Sequence, residues 1–369
     1  MTNKQHSFTQ QLIYIGLCAI GGLLLELFGL SIGWMIGTLL VATTFSINRE
    51  KWSKESLFNL KMPTFWTQLG QLIFGIHLGQ RLTLSVFDVF YDHWFLISLT
   101  LVISIVVAMI TGLILWKHTV ADLMTSFYGT APGGITTMVT IGEEEGGNVA
   151  IISIVQSMRK YLVLLLVPLF VASLNGGEAL ASASYENSPS ILLTAFMLIV
   201  SLIFAYLGKL IHAPARWIVM PMVGVALFKG LISVTFGYDV VLWWPHAIFV
   251  FAQISLGASI GSRINKDMFA GMGKVALVSF GTTLLLIATT LISAFVITHV
   301  TDITFITALL AFAPGGIAEM AATAILVGAD SVFVVTVQVI RIMIVLMVLP
   351  VLFRKLFSKK GAVTRTNTF

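Results

Sequence analysis

Two arginines stand in the middle of long apolar segments, and each follows a glutamine by three residues. Gln156 precedes Arg159, and Gln338 precedes Arg341. Residues three apart lie on the same face of a helix, so each glutamine and its arginine point to the same side. An arginine at the centre of a membrane costs at least about 2.5 kcal/mol, and it faces a cavity or a partner. The pair therefore predicts a site for a negatively charged group.

An Ala-Pro-Gly-Gly-Ile motif precedes each of these arginines. Its two proline-glycine triplets are Pro132, Gly133 and Gly134, and Pro314, Gly315 and Gly316. Proline ends a helix and glycine lets the chain turn. Unwound backbone at membrane depth is tolerated where it is buried in protein or lines a watery cavity. We expect each triplet at the tip of a re-entrant helical hairpin, 121–146 and 302–328, where its backbone amides help to bind an anion.

These arginines have two interpretations. They contact a bound anion directly, or they cap the free carbonyl groups at the hairpin tips as internal struts. Direct contact is favoured, because one nearby carboxylate cannot neutralise Arg159, Lys160 and Arg341 together. Both roles can hold at once.

Glu319 is that nearby carboxylate, five residues after Pro314, and Thr137 occupies the equivalent position of the first hairpin. We interpret Glu319 as the group that would bind a proton or a sodium ion in an ion-coupled step. An internal salt bridge from Glu319 to an arginine is about equally well supported. Lys160 points about 100° away from Arg159 around a helix, and Ile342 occupies its equivalent position, so a structural role is favoured for it.

Composition places most of the chain in a membrane. Of 369 residues, 57% are hydrophobic and 10% are charged, and apolar stretches long enough to cross a bilayer recur throughout. The single cysteine, Cys18, excludes a disulfide framework within one chain. The seven histidines are scattered without the spacing of metal ligands. We therefore expect no cofactor, no metal centre and no enzymatic activity.

An internal repeat divides the chain into two halves, 1–182 and 183–369. A shift of 182 residues superimposes Gln71, Gly75, Gly79 and Arg81 on Gln253, Gly257, Gly261 and Arg263, and Gln156, Arg159 and Pro168 on Gln338, Arg341 and Pro350. Each half contains an apolar helix pair, a glycine-rich third span, a fourth span, the broken segment and a last span. The sequence predicts an all-α polytopic membrane protein with such repeats.

The distribution of Lys and Arg sets the orientation of the halves. With re-entrant hairpins each half crosses five times and the second is inverted, which gives ten spans and two hairpins. The cytoplasmic side then holds 16 Lys and Arg against two outside, whereas six crossings per half give 12 against 6. The 16 are Lys4, the four in 49–61, Lys117, Lys209, Arg216, Arg263, Lys266, Lys274 and the five in 354–365. The inverted model is favoured, with both termini and a basic tail, 354–369, in the cytoplasm.

The doubled APGGI, the following Gln-x-x-Arg and the glycine-rich third span resemble the bacterial AbrB-type membrane proteins, a duplicated family also labelled putative ammonia monooxygenase. The resemblance covers nearly the whole chain. It implies a protein of the bacterial cytoplasmic membrane, similar in plan to sodium/glutamate symporters and cation/proton antiporters. A regulatory label also attaches to the family, but the chain has no soluble domain for binding DNA. Monooxygenase chemistry is not expected, because the metal ligands it needs are missing from the sequence pattern.

Together these observations predict a secondary transporter for a small organic anion. Arg159 and Arg341 would bind the anion, Gln156 and Gln338 would hydrogen-bond it, and the triplets would present backbone amides. The net charge of +5 follows from membrane orientation and needs no nucleic acid partner. Membrane lipid surrounds the chain, and a homodimer is expected. The competing class is a membrane regulator or scaffold that affects gene expression indirectly.

Overall fold

The described part of the chain is built from helices. The structure, a computed structural model, describes residues 8–30, 32–48, 62–82, 85–133, 135–174, 190–236, 242–264 and 272–358. These residues form fourteen helices and, besides them, one isolated bridge between Ser190 and Leu242. The prediction of an all-α fold is confirmed. The helices are α1 (Phe8–Leu27), α2 (Gly33–Ile47), α3 (Thr64–Arg81), α4 (Ser85–His118), α5 (Leu123–Thr130), α6 (Ile135–Glu144), α7 (Val149–Leu174), α8 (Ile191–Leu210), α9 (Arg216–Phe236), α10 (His246–Gly261), α11 (Gly273–Val300), α12 (Phe305–Phe312), α13 (Ile317–Leu326) and α14 (Ser331–Ser358).

Seven of these helices are long and apolar enough to cross a membrane, namely α1, α4, α7, α8, α9, α11 and α14. The chain is thus a multi-pass membrane protein. Two further predicted spans, α2 and α10, are apolar but shorter helices. Helix α3 is not apolar enough to be counted among the seven. The reason is visible in its sequence, which carries three glutamines, His77 and Arg81. The count of ten crossings stays a prediction.

Helix order recurs in the two halves, and the hairpin helices also match in length. Helix α5 spans Leu123–Thr130 and α12 spans Phe305–Phe312, and α6 and α13 are likewise ten residues each at the same offset. The predicted boundary at 182 lies outside the described residues. The last helix continues to Ser358, into the segment predicted as a tail. Arginine and lysine at 354 and 355 are good helix formers and do not end it.

Equivalent helices of the two halves run in opposite directions where they meet. Helices α3 and α10 pack together, with Thr67 Oγ1 2.5 Å from Ser259 Oγ near one end. Near the other end the His77 ring lies 4.3 Å from the ring of Phe249. Residue numbers thus rise along α3 as they fall along α10, so the helices are antiparallel. Inverted repeats require this course, and the orientation of the halves in a bilayer stays a prediction.

The helices pack as two bundles. The scaffold bundle contains α1, α2, α3, α8, α9 and α10, and the hairpin bundle contains α4 to α7 and α11 to α14. Glycines allow close approach inside the scaffold bundle. A Cβ atom at Gly75 would lie 2.5 Å from the Ile218 carbonyl oxygen, and one at Gly257 would lie 2.6 Å from the Met35 carbonyl oxygen. The third helix of each half therefore packs on the second helix of the other half.

The two hairpins are packed differently against the scaffold bundle. Every residue of α13 is buried. Its side chains share a core cluster with residues of α3, α9, α10 and α14. Helix α6, its equivalent, exposes Thr140, Glu143 and Glu144. One hairpin is thus covered by the scaffold bundle, and the other is partly open.

Candidate functional site

The broken segments are helical hairpins. Asp122 caps the start of α5, where its carboxylate accepts a hydrogen bond from the Thr125 amide at 3.3 Å. The helix ends at Ala131, whose extended backbone (φ −61°, ψ 132°) is the conformation favoured before a proline. The chain then returns along α6. The Asn148 amide, just before α7, donates to Thr125 Oγ1 at 2.8 Å, so both ends of the hairpin lie side by side.

The second hairpin repeats this arrangement. Thr304 caps α12 by accepting from the Thr307 amide at 3.4 Å. Ala313 is again extended before the proline. At the base the Asp330 amide, just before α14, donates to Thr307 Oγ1 at 3.1 Å. Each hairpin therefore enters the bundle beside the start of the helix that follows it.

Arg159 joins α7 to the tip of the first hairpin. It is 6% exposed, and its guanidinium donates to the carbonyl oxygens of Thr130 (2.5 Å) and Ala131 (3.0 Å). It also donates to Gln156 Oε1 at 2.6 Å. The Gln156 amide in turn donates to the carbonyl oxygens of Tyr128 (2.8 Å) and Ala131 (2.9 Å). The two side chains thus satisfy the free carbonyls at the C-terminus of α5.

Arg341 plays the same part at the second hairpin. It donates to Ala313 at 2.6 Å, to Phe312 at 3.4 Å and to Gly315 at 3.3 Å, all carbonyl oxygens. It also donates to Gln338 Oε1 at 2.5 Å. The Gln338 amide donates to the carbonyls at 310 and 313. Arg341 is 2% exposed, yet its buried Nε has no hydrogen-bond partner. One donor of this buried cation remains free.

These contacts match the capping alternative for the arginines, and they leave the positive charge in place. Among the described residues, no carboxylate pairs with Arg159 or Arg341. The C-termini of α5 and α12 supply about half a negative charge each, and the starts of α6 and α13 about half a positive charge each. These helix ends cancel, so the hairpin tips hold a net charge of about +2. The two guanidinium groups are close enough to interact electrostatically.

A small cavity lies where the two hairpin tips meet. Pro132, Pro314 and Arg341 line it together with hydroxyl-bearing residues of α4 and α11. The hydroxyls belong to Thr100, Ser104, Thr289, Thr290 and Ser293. Its volume of about 20 Å³ holds one water-sized molecule. The structure therefore brings the two proline turns and one arginine to one small common space.

The glycines of the triplets make room for side chains of their own hairpins. A Cβ atom at Gly133 would overlap the Met138 side chain, and one at Gly315 would lie 3.0 Å from Met320 Cε. A Cβ atom at Gly316 would overlap the Glu319 carboxylate. Gly134 lies outside the described residues.

Glu319 forms an ion pair with Lys160. Its Oε1 lies 3.2 Å from Lys160 Nζ, and the Glu319 side chain is 5% exposed while that of Lys160 is 36% exposed. The expected salt bridge to an arginine is wrong in its partner, because both arginines are turned to the hairpin carbonyls. A signal for the pair was present in the sequence. In the other half, Thr137 takes the position of Glu319 and Ile342 takes that of Lys160. The sequence therefore contains one acid and one base that both lack a counterpart in the repeat.

Two further polar residues belong to this region, one on α7 and one just after α10. Tyr161, next to Lys160, lies within electrostatic range of Lys160, Arg263 and Glu319. Arg263, just after α10, donates to Thr67 Oγ1 at 3.3 Å. Sequence reasoning did not place Arg263 at the site, because no local pattern links it to α7. In the described part of the chain no three His, Cys, Asp or Glu side chains cluster as a metal site requires.

Two buried arginines that hold the tips of helical hairpins, inside a bundle of long apolar helices, are features of a polytopic membrane protein. The chain belongs to the AbrB family, because a family model described as "Transition state regulatory protein AbrB" matches residues 34–357. The family resemblance expected from the doubled motif is thus confirmed.

Two relatives cover most of the chain. It is 41% identical over 369 residues to "Uncharacterized protein YhjN" of Bacillus subtilis (strain 168), which covers 97% of this chain and 96% of that protein. It is 23% identical over 304 residues to "Putative regulator AbrB" of Escherichia coli (strain K12), which covers 80% of this chain and 84% of that protein. Neither name supports the ammonia monooxygenase label.

Proposed function

We propose that this protein is a secondary transporter that carries a small organic anion by alternating access. The observation that supports the proposal is the uncompensated positive charge at the hairpin tips. Arg159 and Arg341 are buried, no described carboxylate pairs with either, and Arg341 keeps a free Nε donor. A buried charge without a counter-ion is costly, so an anion that enters the site is stabilised there.

In this proposal the arginines act in two ways. Most of their donors hold the hairpin tips, and their charge, with the free Nε of Arg341, attracts the anion. Gln156 and Gln338 fix the guanidinium groups by accepting from them. Helices α6 and α13 begin just after the proline-glycine turns, and the helix dipoles at these starts favour negative charge. The cavity has to widen before an organic anion fits.

The unequal packing of the hairpins supports movement between two states. Helix α13 is covered by the scaffold bundle, whereas α6 is partly exposed. In repeats related by symmetry, the alternative state covers α6 and uncovers α13. The hairpin bundle would then shift against the scaffold bundle. Lys160 lies near the middle of α7 and is 36% exposed, which requires water around it at that depth.

The remaining parts of the proposal concern location and partners. We place the protein in the bacterial cytoplasmic membrane with both termini inside, as a homodimer, with protons or sodium as the coupling ion. No nucleic acid partner and no enzymatic reaction are included. Glu319 is the proposed coupling group, because it is the carboxylate paired at the hairpin tip.

Flux into proteoliposomes tests the function. Vesicles with an imposed inward proton or sodium gradient are offered radiolabelled acetate, propionate, succinate and benzoate, with choline as the cationic control. We expect saturable accumulation of at least one acid, lowered at least tenfold in Arg341→Lys, which loses the Nε donor. Lys274→Gln, at an exposed position at the start of α11, is the matched control and should transport as the wild type does.

A negative result favours the competing function. If no acid in the panel accumulates above protein-free vesicles, the transporter proposal fails. The regulatory names of the family and of the E. coli relative then support a membrane regulator or scaffold, in which the arginines only cap the hairpins.

A further inference from the structure

We propose that the Glu319 carboxylate occupies the subsite for the carboxylate of the transported anion, and that protonation of Glu319 vacates it. The subsite consists of the Lys160 ammonium and the start of α13. The substrate class is a small monocarboxylate that enters together with one proton. This inference rests on the proposed transport function and names its substrate class and its coupling ion.

The geometry places a carboxylate where a bound acid would lie. Glu319 is the third residue of α13, whose N-cap is Gly316. Its carboxylate folds back over Gly316, where even a Cβ atom would overlap Oε2. Oε1 lies 3.2 Å from Lys160 Nζ. An ammonium group and a helix N-terminus are two features that bind carboxylates in proteins.

The first hairpin shows that this ion pair is not needed to build the fold. Thr137 and Ile342 take the places of Glu319 and Lys160 in the other half. That hairpin is likewise capped at its start, joined at its base to the following helix and held by an arginine, although neutral residues take the places of the ion pair. A buried ion pair costs desolvation energy and is seldom a net gain in stability. We therefore infer that the pair serves binding.

The Lys160 side chain is 36% exposed, and we take this opening as the route by which protons and anions reach the pair. Tyr161 on α7 lies within electrostatic range of Glu319, of Lys160 and of Arg263, which follows α10. Arg159 and Arg341 are bonded to the hairpin carbonyls. Helix α3, which packs on α13, carries two charged or titratable groups near its C-terminal end, Arg81 and His77, and the His77 ring lies against the ring of Phe249.

The exchange balances in charge and in protons. Glu319 takes up one proton and becomes a neutral carboxylic acid, which releases Lys160. The carboxylate of the substrate then pairs with Lys160. One proton and one anion enter together, so the step is electroneutral, and uptake should not respond to membrane potential.

Binding of propionate to the purified protein tests the inference, since propionate has the carboxylate and alkyl length of the Glu319 side chain. We expect wild-type binding of propionate to weaken as the pH rises, by up to about tenfold per pH unit. Binding is measured calorimetrically in detergent between pH 5 and 8. In Glu319→Gln, a neutral mimic of the protonated acid, binding should be independent of pH and at least tenfold tighter than wild type at pH 8. Lys160→Gln should lose binding, and Lys160→Arg should restore it. Propionamide, which has no charge, should not bind.

Four results would overturn the inference. They are wild-type binding that does not change with pH, a pH dependence that persists in Glu319→Gln, a pH dependence that disappears in His77→Gln instead, and no propionate binding by either wild type or Glu319→Gln. The wild-type measurement decides the question even if a variant does not fold. In each case the transporter proposal survives if another acid of the panel accumulates in proteoliposomes. It fails separately if none does.

Discussion

Replacing Arg159 should detach the tip of the first hairpin from α7. In Arg159→Gln the Ala131 carbonyl keeps the amide of Gln156 as its donor. The Thr130 carbonyl and Gln156 Oε1 lose theirs. Two buried acceptors are thus left without these donors.

The magnitude follows from this count. An unsatisfied buried acceptor costs about 1–3 kcal/mol, so two cost about 2–6 kcal/mol. Removing the guanidinium also removes its own desolvation cost, which places the expected loss in the lower half of that range, about 2–4 kcal/mol. Arg159→Lys keeps the charge but not the planar fork that reaches two carbonyls at once. It should lose at least half as much.

Unfolding by SDS in mixed micelles, followed by circular dichroism, measures these free energies. Lys117→Gln is the control, because Lys117 is an exposed cation at the end of α4, and its removal should change stability by less than about 0.5 kcal/mol. The capping interpretation is refuted if Arg159→Gln loses less than about 1 kcal/mol. It is also refuted if Arg159→Lys is as stable as the wild type, since charge alone would then suffice.

Three further substitutions, with Gly16→Ala as a control, test the helix packing, the position of the Glu319 carboxylate and the base of the first hairpin. Gly37→Ala would press a methyl group into the backbone of α1 and should cost about 1–3 kcal/mol in the same SDS titration, whereas Gly16→Ala, with open space around it, should be neutral or slightly stabilising. Gly316→Ala should displace the carboxylate paired with Lys160 and raise the rate at which an amine-specific reagent labels that lysine, as read by mass spectrometry; unchanged labelling would contradict the geometry. Thr125→Val removes the hydroxyl that accepts from the backbone at the start of α7 and should destabilise the protein by about 1 kcal/mol, and no loss would show that this bond does not hold the hairpin base.

Local rules predicted the hairpins well. Proline stops a helix, and the residue before it is held extended, so the ends of α5 and α12 follow from the motif itself. The spacing of three between Gln156 and Arg159 places both on one face, and in the structure they bond to each other. Each of these interactions joins residues that are close in the sequence, and each recurs 182 residues later in the other half.

The balance between the two roles of the arginines was harder to predict. Sequence reasoning weighed their charge and favoured contact with an anion. The carbonyls that accept from Arg159 lie 28 and 29 residues away along the chain, and their distance from α7 depends on how deeply the hairpin enters the bundle. That depth is set by packing, and no pattern of residue types encodes it directly.

The partner of Glu319 was likewise hard to predict from the sequence. Its lack of a counterpart in the first half was visible in the sequence, as was that of Lys160. The contact between them depends on α13, in the second half, lying against α7, in the first half.

The sequence by itself determined the all-helical membrane character, the doubled motif and the ends of α5 and α12 before their prolines, because hydropathy, proline and glycine act over a few residues. Only the tertiary structure decided that α3 packs on α9 and α10 on α2, that one hairpin is covered and the other partly open, and that a lysine neutralises Glu319. Those outcomes depend on contacts between segments far apart in the chain, where many pairings satisfy the same local patterns and close packing selects among them.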